Sequence, residues 1–461
     1  MTSKTKEWTV IDFIGRVSRD PAWLEESYQI VKDRVERLNN SLHAFITVFS
    51  HPIRLKDCLR RPLAGAPVAV KDIMHVEGHP TTAGSKILKN YVAEKSAEVV
   101  ERLLAAGGAV NGKTNLHEFA FGVTNKNPHY GDCINPWKRD RVSGGSSGGS
   151  AVAVATGMAL AALGTDTAGS IRIPASLCGV YGFKPSYETI SREGVLPLSW
   201  SLDHVGYLGN SVRDLALLTF LTARKPAFRD LRGFKAFRAA RLKGLKVGVP
   251  KNYFLDFVEE DVRRNFEKTL DLLSGEGASL LDVVFPRPDL FRDCRHIIVH
   301  SEAAAFHLKM FRERHRDYGE DVRARLAEGL AIPASSYITA LRSRKALIRE
   351  FRSLFKNVDI IAVPTTVVTA PRLDASTVEV AGVELDVRSA LLRNTEFFNV
   401  VGAPALAMPN GFSRDGLPTS IQLVSDIGTD WRLLSVGARL ETLLSPSVSP
   451  WMKATTQDIR F

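Results

Sequence analysis

Two serines and a lysine, far apart in the chain, have the side chains that acyl transfer requires. Ser146 lies in GGSSGGS (144–150), Ser170 in TDTAGS (165–170), and Lys71 near the end of PVAVKD (67–72). Three chemistries compete for residues 142–176. A phosphate loop places a lysine directly after its glycines, but here Ser150 and Ala151 follow, which argues against a nucleotide site. Residues 144–148 fit the G-x-S-x-G nucleophile elbow. That turn must follow a strand, whereas the preceding INPWKRDRVS is polar. The third reading joins both serines to Lys71. A neutral lysine acts as a general base, and burial lowers its pKa towards that state. One hydroxyl relays the proton of the other to the amine, and the N–H groups of the tight turn Thr167, Ala168, Gly169, Ser170 can face an oxyanion.

The neighbouring residues have plainer roles. Ser147 and Ser150 are expected to cap the following helix or satisfy loop backbone. Asp166 and Arg172 read as charges that hold the turn. Cys178 is read as core packing, since free cysteine is among the most buried residue types. His117 and Glu118 lack a second histidine at i+4, so no metal site is expected. Lys113, Lys126 and Lys184 are alternative bases, but none reads as the end of a buried strand as Lys71 does.

These groups need elements to position them. PVAVKD, GAVNGKTN (108–115), LAALGTD (160–166), VYGFKPS (180–186) and LKVGVP (245–250) read as strands, as do LHAFITV (42–48), LLDVVF (280–285), DIIAVPT (359–365), APALAMP (403–409) and PTSIQLV (418–424). Helical periodicity marks 21–39, 96–108 with Ser96 as N-cap, 151–159, 258–275, much of 298–356, and 430–443. Residues 121–145, rich in Gly, Asn and Pro, form a long loop of the kind that is usually functional. Strands alternating with helices imply an α/β fold with a layered mixed β-sheet core flanked by helices.

Composition narrows the class. With 461 residues, 44% apolar and 24% charged, the chain is neither disordered nor fibrous and can bury a large core. Cysteines 58, 133, 178 and 294 share no short spacing and read as free thiols in a reducing compartment. The first ten residues lack the apolar core of a signal peptide, and the uncharged stretch 142–165 has GGSSGGS in its first half. Neither predicts a membrane segment, and a cytoplasmic location is expected. The net charge of +11 is concentrated in 224–246, which holds nine Lys or Arg against one Asp. The cations recur at spacings of three. They read as a solvated face of a basic protein, with direct nucleic-acid binding not expected, and Phe228, Phe234 and Phe237 are expected to pack inward.

Residues 144–186 as a whole, GGSSGGSAVAVATGMALAALGTDTAGSIRIPASLCGVYGFKPS, resemble the amidase signature family. So do PVAVKD, TTAGSK (81–86), KTNLHEFAFG (113–122), NPWKRDR (135–141), VLPLSWSLDHVGYL (195–208), DIIAVPT, and the block GAPALAMPNGF to GLPTSIQLV (402–424). The resemblance implies that fold over residues 61–445, with 224–246 as a basic embellishment, 1–60 as an N-terminal helical region and 446–461 as a tail. It implies a catalytic triad of Ser170 as acylated nucleophile, Ser146 as bridging serine after a cis peptide bond, and Lys71 as base. The oxyanion hole would comprise Thr167, Ala168 and Gly169 with the N–H of Ser170. Ala168 departs from the Gly of many members, which puts the shape of the hole in question. No cofactor is implied. The expected activity is hydrolysis of a small-molecule carboxamide. The alternative is the glutaminase subunit of a tRNA-dependent amidotransferase, working with partner subunits. A homo-oligomer is also compatible, whereas the intact triad disfavours a non-catalytic interaction protein.

Overall fold

The computed structural model describes residues 9–225, 234 and 237–444. Its strands follow the apolar runs: β1 (Phe45–Ile53), β2 (Pro67–Lys71), β3 (Ala109–Thr114), β4 (Ala161–Asp166), β5 (Tyr181–Lys184), β6 (His204–Gly209), β7 (Lys246–Pro250), β8 (Ser279–Val283), β9 (Ile360–Pro364), β10 (Thr377–Val380), β11 (Val383–Asp386), β12 (Ala405–Phe412) and β13 (Pro418–Val424). The β10–β11 hairpin stands apart. The others form one eleven-stranded sheet in the order β1-β3-β2-β4-β6-β5-β12-β13-β9-β7-β8. β2 runs parallel to β3 and β4, and β7 runs parallel to β8 and β9. β4, β6, β5, β12, β13 and β9 pair antiparallel in succession. The sheet is therefore mixed, with helices around it, as the alternation of elements implied.

The central strands are apolar on both faces because both faces are covered, and side chains alternate between them. Val68 and Val70, Ala161 and Leu163, Leu406 and Met408 belong to one core. The intervening Ala69, Ala162 and Ala407 belong to the other, with the all-buried helix Gly148–Ala155. Small residues on that face admit a helix of Gly, Ser, Ala and Val at close range. The same alternation puts Lys71, two residues beyond Ala69, on the side of the Gly/Ser loop that opens this helix.

Several local expectations change. Ser96 does not cap helix Glu98–Ala105; its Oγ accepts the N–H of Glu77, and Ala97 occupies the cap position. Helix Val10–Arg19, strand β6, helix Val212–Thr222 and the hairpin were not among the expected elements. The long helical region resolves into Pro288–Arg314, Glu320–Leu330 and Ala334–Leu354. In the basic stretch, Phe234 and Phe237 are buried and stacked at 5.7 Å. Phe228 and most of that stretch's first half lie outside the described residues, as does the 446–461 tail. All four cysteines are free and buried. No described helix is long and apolar enough to cross a membrane.

Helix Val10–Arg19 is tied down by one buried carboxylate. Asp214 Oδ2 accepts Val10 N–H at 2.8 Å and Oδ1 accepts Ile11 N–H at 3.0 Å. These are N–H groups of a first helical turn, which have no partner within the helix. Asp214→Ala is expected to cost about 1–3 kcal/mol, the range for leaving such donors unmatched. Chemical denaturation should show this loss, with faster amide exchange confined first to residues 10–19. Unchanged exchange there would contradict the anchor.

Candidate active site

Lys71 ends β2 with its side chain wholly buried. Its Nζ lies 2.7 Å from Ser146 Oγ and 2.8 Å from Thr165 Oγ1. Burial pushes this amine down to about 7, against smaller upward pulls from Asp166 and Asp203. The neutral form is therefore accessible near pH 7, and a neutral amine can take a proton from a hydroxyl 2.7 Å away.

Ser146 is held by its loop. The Gly145–Ser146 peptide bond is cis. Ser146 C=O accepts His117 N–H, and Ser147 N–H donates to Ser170 C=O at 3.2 Å, which ties the two serine loops together. Ser147 and Ser150 do not cap the following helix through their side chains; their hydroxyls donate to the carbonyls of Thr165 and Leu163 in β4. The helix is thereby fixed to the strand that leads into the second loop.

That second loop, 166–172, is organised by Asp166. Its carboxylate accepts Gly169 N–H at 2.7 Å and Ile171 N–H at 3.1 Å, and pairs with Arg172 through both Nε and Nη2 at 2.9 Å. Burial alone would raise this carboxyl, but the charge and hydrogen bonds of Arg172 outweigh it and hold Asp166 well below the usual carboxylate range. Arg172 continues to Gln422 Oε1, Thr395 C=O and Asn399 Oδ1. The Ala168–Gly169 peptide is fixed at both ends: Thr395 Oγ1 donates to Ala168 C=O at 2.6 Å, while Gly169 N–H points to Asp166. Gly169 adopts φ +136°, and a Cβ there would lie 2.3 Å from Thr395 Oγ1, so only glycine fits.

This corrects the expected oxyanion hole. The Gly169 N–H is committed to Asp166. The N–H groups of Thr167, Ala168 and Ser170 have no acceptor among the described residues. Ala168 is not at positive φ, so the substitution of Ala for Gly carries no backbone penalty. Thr167 is steadied by its hydroxyl, which donates to Asp203 Oδ1 at 2.6 Å, while Asp203 Oδ2 accepts the N–H groups of Leu198 and Ser199.

Of the two serines and Lys71, only Ser170 keeps any exposure, 6% against 0% for the other two. It lines a narrow pocket with Phe121, Thr167, Ala168, Leu198, Arg295, Val299 and Arg388. Through Arg295, Arg388 and Leu392 the pocket adjoins a wider cavity of about 410 Å³. The alternative groups sit elsewhere. Lys184 does end a buried strand, contrary to expectation, but its Nζ donates to the carbonyls of Ala403 and Pro185. Lys113 is buried and pairs with Asp72 at 2.7 Å. Burial pushes the Cys178 thiol up, and it donates to Ser143 C=O, as a packed thiol does. His117 Nε2 meets Asp321 Oδ2 at 2.7 Å. Among the described residues, one group could hold a metal ion: His296, His300 and Glu328. His296 Nε2 already lies 2.8 Å from Glu328 Oε1.

Sequence reasoning missed Thr165, Asp203, Thr395, Asn399 and Gln422. Thr165 had a signal, since it immediately precedes Asp166 in the motif. Thr395, Asn399 and Gln422 had none, because they reach the loop from more than 220 residues away.

Arg172→Met should cost about 3–5 kcal/mol, the range for breaking a buried ion pair and leaving Asp166 unpaired. Because Asp166 would then be buried without its cation, the loss should shrink as pH falls and the carboxyl can protonate. Urea denaturation of both proteins across pH measures this; a loss below about 1 kcal/mol would contradict the role of the pair.

Comparison with known proteins agrees with this architecture. The family model described as Amidase matches residues 26–434. The chain is 35% identical over 455 residues to the glutamyl-tRNA(Gln) amidotransferase A subunit of Aromatoleum aromaticum, covering 89% of this chain and 91% of the relative. It superposes on a crystal structure of an amidase with a TM-score of 0.85 and 33% identity, covering 95% and 100% of the two chains. It also superposes on a chain from a vestigial complex bearing on the origins of an s-triazine catabolic enzyme, with a TM-score of 0.87, 30% identity and coverage of 95% and 98%. With the family model spanning most of the chain and relatives matched over nearly their full length, the protein belongs to the amidase family.

Proposed function

We propose that the protein hydrolyses a carboxamide through an acyl-enzyme on Ser170, with Ser146 as proton relay and Lys71 as base. The observation that carries this reading is the contact of a buried amine, lowered to about 7, with the Ser146 hydroxyl at 2.7 Å, beside the loop that presents Ser170 to a pocket. Ser170 Oγ attacks the carbonyl carbon. Its proton passes to Ser146 Oγ as the Ser146 proton passes to Lys71 Nζ. The oxyanion is met by the N–H groups of Thr167, Ala168 and Ser170. Collapse breaks the C–N bond, and the proton returns through Ser146 to the leaving nitrogen, releasing ammonia or an amine. Water, deprotonated along the same relay, then attacks the ester and frees the carboxylate and Ser170.

A second reading has specific support. The relatives at 34–35% identity are named as amidotransferase A subunits. In this reading the amide is glutamine and the ammonia serves a complex with partner chains. Ammonia release by the purified chain from simple amides, aryl amides and glutamine separates the two. Activity on simple amides without partners supports the first; activity on glutamine alone, rising when partner subunits are added, supports the second.

Ser170→Ala is expected to remove turnover while leaving the fold intact, and a folded variant with near-normal rates would sink the assignment. Ser146→Ala should slow acylation strongly but retain more activity, because a water can fill the relay. Only neutral Lys71 accepts a proton, and its fraction rises with pH. kcat/KM should therefore climb through an apparent pKa near 7 and level off above it. Lys71→Arg, which stays cationic, should lose about 10²–10⁴-fold. A pH profile with no limb near 7, or an active Lys71→Arg enzyme, would reject Lys71 as base.

A further inference from the structure

The pocket beside Ser170 contains a cation that makes no ion pair of its own among the described residues. Arg388 lines both this pocket and the wider cavity next to it. Two other arginines stand near it, Arg295 and Arg325, with two carboxylates, Glu396 and Asp321. Each carboxylate already has a partner. Glu396 Oε2 accepts from Arg295 Nε at 2.7 Å, and Asp321 Oδ2 accepts from Arg325 Nη1 at 2.8 Å and lies 2.7 Å from His117 Nε2. Arg325 also donates to Phe121 C=O. Arg388 itself has no hydrogen bond or ion pair among the described residues, although Asp293, Glu384 and Asp386 also line the wider cavity.

A solvated surface arginine would need no explanation, but this one is not fully solvated. Burial, with repulsion from Arg325 and Arg295, pushes its guanidinium down to about 9. It remains cationic near pH 7, in a site also walled by Phe121, Leu198, Val299 and Leu392. An unpaired charge against an apolar wall is costly unless a ligand supplies the opposite charge. The planar fork of arginine matches a carboxylate in bidentate fashion.

We propose that Arg388 is a specificity-determining residue that binds a carboxylate carried by the amide substrate, so that the enzyme selects short amides bearing a carboxylate near the scissile carbonyl. This rests on Ser170 as the nucleophile. The carbonyl would lie against the free N–H groups of the Thr167–Ser170 turn, and the carboxylate would extend past Leu392 to Arg388. The binding step moves no proton and breaks no bond.

The test compares succinamate with succinamide, near-isosteric amides that differ by one negative charge. The expected kcat/KM of the wild-type enzyme is at least about tenfold higher on succinamate, with the difference in KM. In Arg388→Met the succinamate-to-succinamide ratio should fall about 10–100-fold, and Arg388→Lys, which keeps the charge but not the fork, should restore part of it. Equal wild-type rates on both amides, or an unchanged ratio in Arg388→Met, would overturn the proposal. If neither amide is cleaved, binding decides the subsite separately. Calorimetry with succinate on the Ser170→Ala protein should show binding that weakens at least about tenfold when Arg388→Met is added. Binding unaffected by Arg388→Met, or no binding at all, would also overturn it.

Discussion

The buried pair of Asp166 and Arg172 is the interaction on which the rest of the site depends. Asp166 ends β4, and Arg172 begins helix Arg172–Cys178; both side chains are inaccessible to solvent. Such pairs seldom add net stability, because the desolvation of both charges offsets their attraction. Their value here is geometric. One carboxylate fixes two N–H groups of the turn, and one guanidinium reaches β13 and helix Glu396–Val400. The turn carrying Ser170 is therefore set by the sheet and a distant helix together, and the Gly169 N–H is spent on that task. The remaining N–H groups are left to face the pocket.

The second constraint is how a buried lysine is accommodated. Among the described residues three lysines lie fully buried, and each has a different solution. Lys113 meets the charge of Asp72. Lys184 is surrounded by backbone carbonyls and is driven well below its ordinary value by burial, with further lowering from Arg172. Among the described residues Lys71 meets two hydroxyls, which can both accept from and donate to it. Asp166 and Asp203 temper the burial, so Lys71 comes to about 7, where both protonation states are accessible. A general base works best when its pKa lies near the operating pH.

The core strands were legible because their apolar runs are continuous, and that continuity is itself the mark of strands covered on both faces. The closeness of the two serine loops was legible because the two Gly/Ser turns bracket one helix and one strand. What stayed hidden depends on long-range pairing. Lys184 ends a buried strand just as Lys71 does, and only the partners at the strand end tell the two apart. Gly169 looked like an oxyanion donor until Asp166 was found to claim its N–H. Arg388 gave no signal at all: its lack of a partner follows from which acids Arg295 and Arg325 have already taken. Local periodicity reports the face a residue occupies, but not which polar groups meet across two hundred residues.

The central claim is that Ser170, and no other side chain, becomes acylated. The direct measurement is acid quench of the enzyme during turnover of a slowly deacylating activated ester, followed by peptide mapping with mass spectrometry. One acyl group is expected, on the peptide holding Ser170, and it should disappear in Ser170→Ala. An acyl group on Ser146 or Cys178, or a label that persists in Ser170→Ala, would contradict it.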